Sequence, residues 1–587
     1  MILSGDGAAS RAGGGLVLVA FPAHCLWTTV DQPLAGFVQI GPVGGGVPVP
    51  GPDRTERPSV EGMDETGTCY APTCMVVSAD GRASAAGLAM LRRGGSAVDA
   101  AVAASAVLAA TAPHLCGMGG DLFAVVHRSG YDHCPVGLNA SGRAGCGADP
   151  DRLRAEGHDV MPFRHDIRSV TVPGCVDGWL ALHGRYGRLP LHEVFQPAMV
   201  YADAGFTASP LLTASLALID PVDSIVDLLC AGPVQPGQII RRPGVARALA
   251  AIVHDGRDGF YQGEFGAGLL EMADGYFSPA DLERDSAEWV KPLSTRVLGH
   301  EVWTVPPNSQ GYLTLLALRI TDGLDVPAHS QDPLWPHLLI ESARQAGYDR
   351  DSVLCEGADV RRLLTSEEVA VRRSRVDPAQ RGSVAIPAGP GGTTYLGVVD
   401  AQRLGVSLIQ SNTAGFGSHL FEARTGINLH NRGIGFSLHD GHPAQYRPGR
   451  RPPHTLCPVL VTSAGGSLRA VVGTMGGDSQ PQILLQLITR LLRHGELPGT
   501  AIGAPRWVLA SQNWTGFNTW AAPNEVTVQV ERAAPMSWVT GLTQRGHEVR
   551  LAGPGYAFGH AHLIEVTDDG LAGAADDRAL IGTAEGY

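Results

Sequence analysis

The chain has 587 residues, 44% of them hydrophobic and 17% charged, with a formal net charge of −13. That length and apolar share suit a large globular protein, and no apolar run reaches the roughly 20 residues of a membrane span. The acidic balance argues against a nucleic-acid surface, which needs a concentrated basic patch, and a single lysine, Lys291, argues against Schiff-base catalysis.

Residues 1–62 read as a poorly specified leader, dense in glycine and proline from residue 36 to 58. The apolar run 15–23 has the length of a secretory core, but Pro22, His24 and Asp6 fit that reading badly. A disordered leader and a true start at Met63 are the alternatives. Residues 84–93 and 97–110 predict two helices broken at Gly94-Gly95, with Ser96 and Asp99 forming a capping box ahead of an alanine-rich run. Residues 350–390 are charged, then rich in proline and glycine, and predict an exposed segment. The ten cysteines are scattered without a Cys-x-x-Cys pair, which predicts reduced thiols in a cytoplasmic protein rather than a disulfide framework or a zinc site.

The informative stretch begins at Gly391-Gly392-Thr393-Thr394. Residues 395–399 and 405–409 are strand-like runs flanking a short turn, so they predict a hairpin. By itself a Gly-Gly-Thr-Thr sequence ahead of a strand reads as a loop. Threonine is a weak nucleophile unless a base or its own free amine activates it. Cleavage between Gly392 and Thr393 would supply that amine, with a pKa of about 7.7–8.0, beside the hydroxyl. Ser411 lies on the returning strand, placed to reach back to Thr393. Paired glycines at 476 and 477 read by themselves as a turn. His439-x-x-His442 and His454 do not make a metal site, because Gly441 and Pro443 break any helix that would align the first two. No nucleophile elbow or Walker-type loop is present.

Ordered motifs carry a resemblance to a known family. They are Leu-Arg-Arg-Gly-Gly-Ser-Ala-Val-Asp-Ala-Ala at 91–101 and His-Leu-Cys-Gly-Met-Gly-Gly-Asp at 114–121. Phe-Tyr-Gln-Gly-Glu at 260–264 and Val-Pro-Pro-Asn-Ser-Gln-Gly at 305–311 follow, then Thr393-Thr394-Tyr395. Beyond them come Gly-Phe-Gly-Ser at 415–418, Arg-Pro-Pro at 451–453 and Met-Gly-Gly at 475–477. Over about residues 75–582 the chain resembles the γ-glutamyltransferase family of N-terminal-nucleophile (Ntn) hydrolases. The resemblance implies an α+β fold, the four-layer αββα sandwich. It implies autoprocessing into a large chain, 63–392, and a small chain, 393–587, interwoven as one unit. It also implies Thr393 as nucleophile, Ser411 in the place of a threonine that orients it, and Gly476 and Gly477 as the oxyanion hole. No metal or organic cofactor is expected, and the partner is a small acyl substrate.

The substrate-binding positions depart from the family's glutamyl-specific members. Thr413, Arg432 and Gly435 replace the groups that hold a substrate ammonium. His454-Thr455 replaces a serine pair, and Asp478 a serine. The arginine for the substrate α-carboxylate falls at about Ser141, with Arg143 two residues on. Without an acidic partner a desolvated ammonium would be left unpaired, and Arg432 would repel it. Arg143 and Arg432 instead suit an anionic, carboxylate- or oxalyl-bearing acyl group, with Thr413, His454 and Thr455 around it. The expected activity is therefore acyl hydrolysis or transfer, of a group other than γ-glutamyl. The alternatives are a carbon–carbon hydrolase releasing an oxalyl-type acid in the making of 4-alkyl-proline antibiotic units, a true glutathione hydrolase, and an inactive scaffold subunit.

Overall fold

A computed structural model of the chain describes residues 63–219, 227–228, 233–382, 392–510, 526–553 and 555–587. The leader and Gly391 lie outside the described residues. Two seven-stranded sheets organise them. One runs, in spatial order, Thr583–Gly586, Met75–Ser78, Gly392–Val399, Leu404–Thr413, Asp121–Arg128, Val136–Ala140 and Glu288–Val290. The other runs Cys69–Ala71, Leu571–Ala575, Ala561–Val566, Leu468–Thr474, Val459–Ser463, His300–Thr304 and Leu293–Val297. Neighbouring strands are antiparallel throughout both sheets.

Period-two alternation sorts the strand residues into layers. Val76, Val398, Val406 and Leu408 pack with the helices Gly81–Arg92 and Ala97–Thr111. Their strand neighbours Val77, Val399 and Ile409 point the other way, onto Leu460, Val471 and Ile564 of the second sheet. The outer face of that sheet, with Val459, Val461 and Leu563, packs with helices Tyr312–Asp322, Leu334–Gly347 and Gln480–His494. The result is helix, sheet, sheet, helix. Both strands of the Thr393 hairpin are therefore covered on both faces, which is why residues 404–413 are buried without a break.

Helix Ala97–Thr111 begins at the predicted capping box. Ser96 Oγ accepts from the Asp99 N–H at 3.1 Å, and the Asp99 carboxylate accepts from the Ser96 N–H at 2.8 Å. Its alanines let it bury completely between the sheet and its neighbours. Between the sheets, Tyr395 lies so close to Gly473 that a Cβ there would meet the ring at 2.1 Å. Only glycine fits. Of the exposed segment expected over 350–390, residues 383–390 lie outside the described residues, and most of 350–382 is exposed or half-buried, though it is more ordered than expected. As far as residue 382 it contains the helices Arg350–Val353 and Ser366–Arg373, and Arg350 and Arg372 are buried. The described cysteines are free thiols. Among the described residues no helix is long and apolar enough to cross a membrane.

Candidate active site

Strands Gly392–Val399 and Leu404–Thr413 pair in antiparallel register, Tyr395 opposite Ile409, until the ladder shifts between Gly392 and Thr394. Such an irregularity re-aims side chains. Here it brings Thr393 Oγ1 within 3.0 Å of Ser411 Oγ. Both residues are buried. Ser411 Oγ also accepts from the Thr413 N–H at 2.8 Å and from Arg432 Nη2 at 3.3 Å. Thr413 adopts a φ of 76°, rare for a β-branched residue and typical of strained functional sites. Its own Oγ1 is buried with no hydrogen-bond partner among the described residues.

From Arg432 a line of contacts runs to the paired glycines. Arg432 Nη1 donates to Thr455 Oγ1 at 3.2 Å. Gln310 Nε2 donates to the carbonyls of Thr455 and Gly477, each at 3.0 Å. Gln310 Oε1 accepts from Arg350 Nε at 3.1 Å, and Arg350 Nη2 lies 3.3 Å from Asp478. Gly476 and Gly477, with φ of 136° and 58°, turn the chain from strand Leu468–Thr474 toward helix Gln480–His494. Amides at the start of a helix carry its positive end, the polarity an oxyanion needs.

A buried carboxylate supports this line from below. Asp121 stands opposite Ser411 in the neighbouring strand. Its Oδ1 accepts from the Gly142 and Gly174 N–H groups at 3.0 and 3.3 Å, and its Oδ2 from His454 Nε2 at 3.1 Å. His430 Nδ1 lies 3.5 Å from the same oxygen while its Nε2 donates to the Thr171 carbonyl at 2.8 Å. Burial would raise the Asp121 carboxyl, but His430, His454 and Arg432 outweigh it and hold it at about 2. Burial, with the nearby Arg432 charge, pushes His454 down to about 3, so its imidazole is neutral. Burial also pulls Arg432 down to about 9, with Asp121 and Asp478 resisting and Arg350 adding to the pull. It stays charged at neutral pH.

Of the residues expected from the sequence, Thr393, Ser411, Arg432, Thr455 and Gly477 fall on one chain of contacts, with Gly476 beside it and Thr413 joined through its N–H. His454 reaches the site through Asp121, its ring edge-on to Phe123 at 4.7 Å. Arg143 lies off this chain. It is paired with Glu356 and donates to the Gly449 carbonyl at 2.9 Å. Ser141 is also engaged, donating to Asn139 Oδ1 at 2.7 Å and accepting from Asn308 Nδ2 at 3.1 Å. Asp121, His430, Gln310 and Arg350 were not singled out by the sequence reading. Asp121 closes a glycine-rich loop and Gln310 sits in a recognisable motif, so both had a signal. His430 and Arg350 had none. Among the described residues no group of three or more His, Cys, Asp or Glu side chains could hold a metal ion.

The sequence model of the gamma-glutamyltranspeptidase family matches residues 83–585. The chain belongs to that family. It is an enzyme of the Ntn-hydrolase class, and its stacked antiparallel sheets are the fold of that class. The family's acylase and amidohydrolase members are among its relatives. A glutathione hydrolase-like YwrD proenzyme of Bacillus subtilis is 35% identical over 86% of this chain and 97% of its own length. The oxamate amidohydrolase proenzyme of Klebsiella pneumoniae is 34% identical over 87% of this chain and 98% of its own. A cephalosporin acylase from Bacillus halodurans, known from its crystal structure, is 31% identical, with a TM-score of 0.80 over 91% of this chain and 99% of that one.

Proposed function

We propose that the chain is a zymogen that cuts its own Gly392–Thr393 bond and then uses Thr393 to hydrolyse, or transfer, a short acyl group bearing a carboxylate. The observation that carries this reading is the buried triad of Thr393, Ser411 and Arg432. A guanidinium donates to the same hydroxyl that touches the nucleophile, so an anion bound there sits next to the bond under attack. A carboxylate one or two carbons from the attacked carbonyl suits that spacing, and an oxamate-type amide is the simplest example. The proenzyme and oxamate amidohydrolase names of the relatives support the same reading.

Thr393 Oγ attacks the Gly392 carbonyl, and the resulting ester is opened by water to leave a large chain, 63–392, and a small chain, 393–587. The freed Thr393 amine then accepts the Oγ proton as Oγ attacks the substrate carbonyl. The Gly476 and Gly477 amides stabilise the oxyanion, and Ser411 orients the hydroxyl. Arg432, Thr455 and Thr413 hold the acyl carboxylate, and His454 supports them through Asp121; Arg143, held by Glu356, is not among these contacts. Water releases the acyl group. If the bond broken is carbon–carbon rather than carbon–nitrogen, the same acyl-enzyme forms, which keeps the 4-alkyl-proline reading as a variant of this chemistry.

The test is a denaturing gel with intact-mass analysis of wild type and Thr393→Ala, followed by a panel of oxalyl, γ-glutamyl and β-lactam side-chain substrates. Two fragments from wild type, one from the variant, and preference for the oxalyl compounds are expected. An active wild type intact across the 392–393 junction would overturn the mechanism. A γ-glutamyl preference would overturn the specificity.

A further inference from the structure

We propose that the open edge of the sandwich carries a second ligand site, sharing no residue with the Thr393 site, that takes a small anionic molecule with a flat apolar body. This does not depend on Thr393 being the nucleophile.

Glu288–Val290 and Leu293–Val297 are end strands of the first and second sheet, and Lys291-Pro292 joins them. A cleft of about 520 Å³ opens at this corner, a size typical of small-molecule sites. Its apolar lining includes Leu293 and Leu364, both buried, the second on the short turn Arg361–Leu364. The half-buried Trp303 adds an aromatic ring. Trp303 Nε1 donates to Thr462 Oγ1 at 2.9 Å, so the ring is held in place before anything binds, and less freedom is lost on association. Cys134 borders the cleft as an exposed free thiol.

Lys291 and Arg361 supply the charge. Lys291 is the only lysine in a chain of net charge −13. Both residues are exposed and line the cleft, and neither forms an ion pair among the described residues. The carboxylates closest to them in sequence have other partners. Glu288 pairs with Arg451 at 2.8 Å, and Asp359 accepts from the Arg361 backbone N–H at 3.2 Å. Two uncompensated cations beside an indole favour an anion whose body lies against the ring, and they disfavour a cation. A carboxylate, a sulfonate and a phosphate all meet that requirement. A lysine and a proline at a sheet edge also discourage pairing between molecules, but that role asks nothing of Trp303 or Arg361.

The experiment titrates naphthalene-2-sulfonate, and uncharged 2-naphthol for comparison, into the full chain by calorimetry at low ionic strength. Wild type should bind the sulfonate with a Kd below about 1 mM, and 2-naphthol several times more weakly. Lys291→Met and Arg361→Met, both at exposed positions, should each weaken sulfonate binding about threefold or more, the scale of exposed charge contacts. Neither should alter binding of 2-naphthol. Trp303→Leu should remove binding of both probes, and the two cation variants decide the matter if it does not fold. Alkylation of Cys134 by iodoacetamide, followed by peptide mass spectrometry, should slow when the sulfonate is bound, while alkylation of the exposed Cys146 should not. A wild type that does not bind the sulfonate, unchanged affinity in both cation variants, or unprotected Cys134 would each sink the proposal.

Discussion

Two buried arginine clusters in this protein look alike by burial and differ in what their guanidinium groups touch. Around Asp576, Arg506 donates to the Phe558 carbonyl at 2.6 Å and pairs with Asp576 at 2.8 Å, while Arg578 pairs with both Asp576 and Glu531. Charge there is met by charge and by backbone carbonyls, as in a structural tie. At the active site Arg432 has Asp121 and Asp478 among its charged neighbours and also gives hydrogen bonds to two neutral hydroxyls, one of which touches the nucleophile. Burial pulls both guanidinium groups down, Arg432 to about 9 and Arg506 to about 10. The shift alone does not separate tie from tool. The partner does.

The largest expected effect breaks the structural side of this contrast. Arg506→Met leaves Asp576 short of a partner in the interior and should cost about 3–5 kcal/mol in denaturant unfolding, while the molecules that fold still cut themselves at the wild-type rate. Slowed cleavage in that folded fraction would erase the distinction. Next, Asp121→Asn keeps the shape but removes the charge that accepts from His454 and two backbone amides, and about 1.5–3 kcal/mol of stability should go with it. Here turnover should fall as well, because Ser411 stands opposite Asp121.

Acid should weaken both clusters in the same direction. His454 at the site and His562 in the Asp576 cluster are pushed by burial to about 3. Their unfolded forms bind a proton near 6.5, so the unfolded state holds more protons as pH falls below that value. Each should then remove about 1.4 kcal/mol of stability per pH unit until its folded pKa is reached. Unfolding midpoints at pH 7, 6 and 5 measure this, and a flat profile would contradict it. The smallest effect belongs to Arg143→Ala. Its partly exposed pairing with Glu356 should be worth less than about 1 kcal/mol, and KM for a carboxylate substrate should rise less than in Arg432→Ala. A larger rise would place Arg143 inside the acyl site.

The parts of this site that could be read from sequence are those set by local chain geometry. Ser96 and Asp99 cap a helix across one turn. Thr393 and Ser411 meet because a short hairpin returns 18 residues later. Gly476 and Gly477 read locally as a tight turn, and only the family resemblance put them at the site. Asp121 and His430 were harder, since they meet His454 only once Asp121–Arg128 pairs with Leu404–Thr413 and the turn after it folds back. Arg350 misled for a related reason. It begins a charged stretch that reads as surface, but Gln310 and Asp478 give it polar partners in the interior, and no local pattern announces them.

The order of strands in the first sheet fixes what a cut at 392–393 would do to the assembly. Met75–Ser78, from the amino-terminal side of that junction, is hydrogen-bonded on one edge to Gly392–Val399 and on the other to Thr583–Gly586, both belonging almost wholly to the carboxy-terminal side. In the second sheet four strands from the carboxy-terminal side are flanked at both ends by strands from the other. Two polypeptides braided in this way have no seam along which to part. Dilution should not separate them, and exchange of chains between molecules should wait on unfolding of the whole.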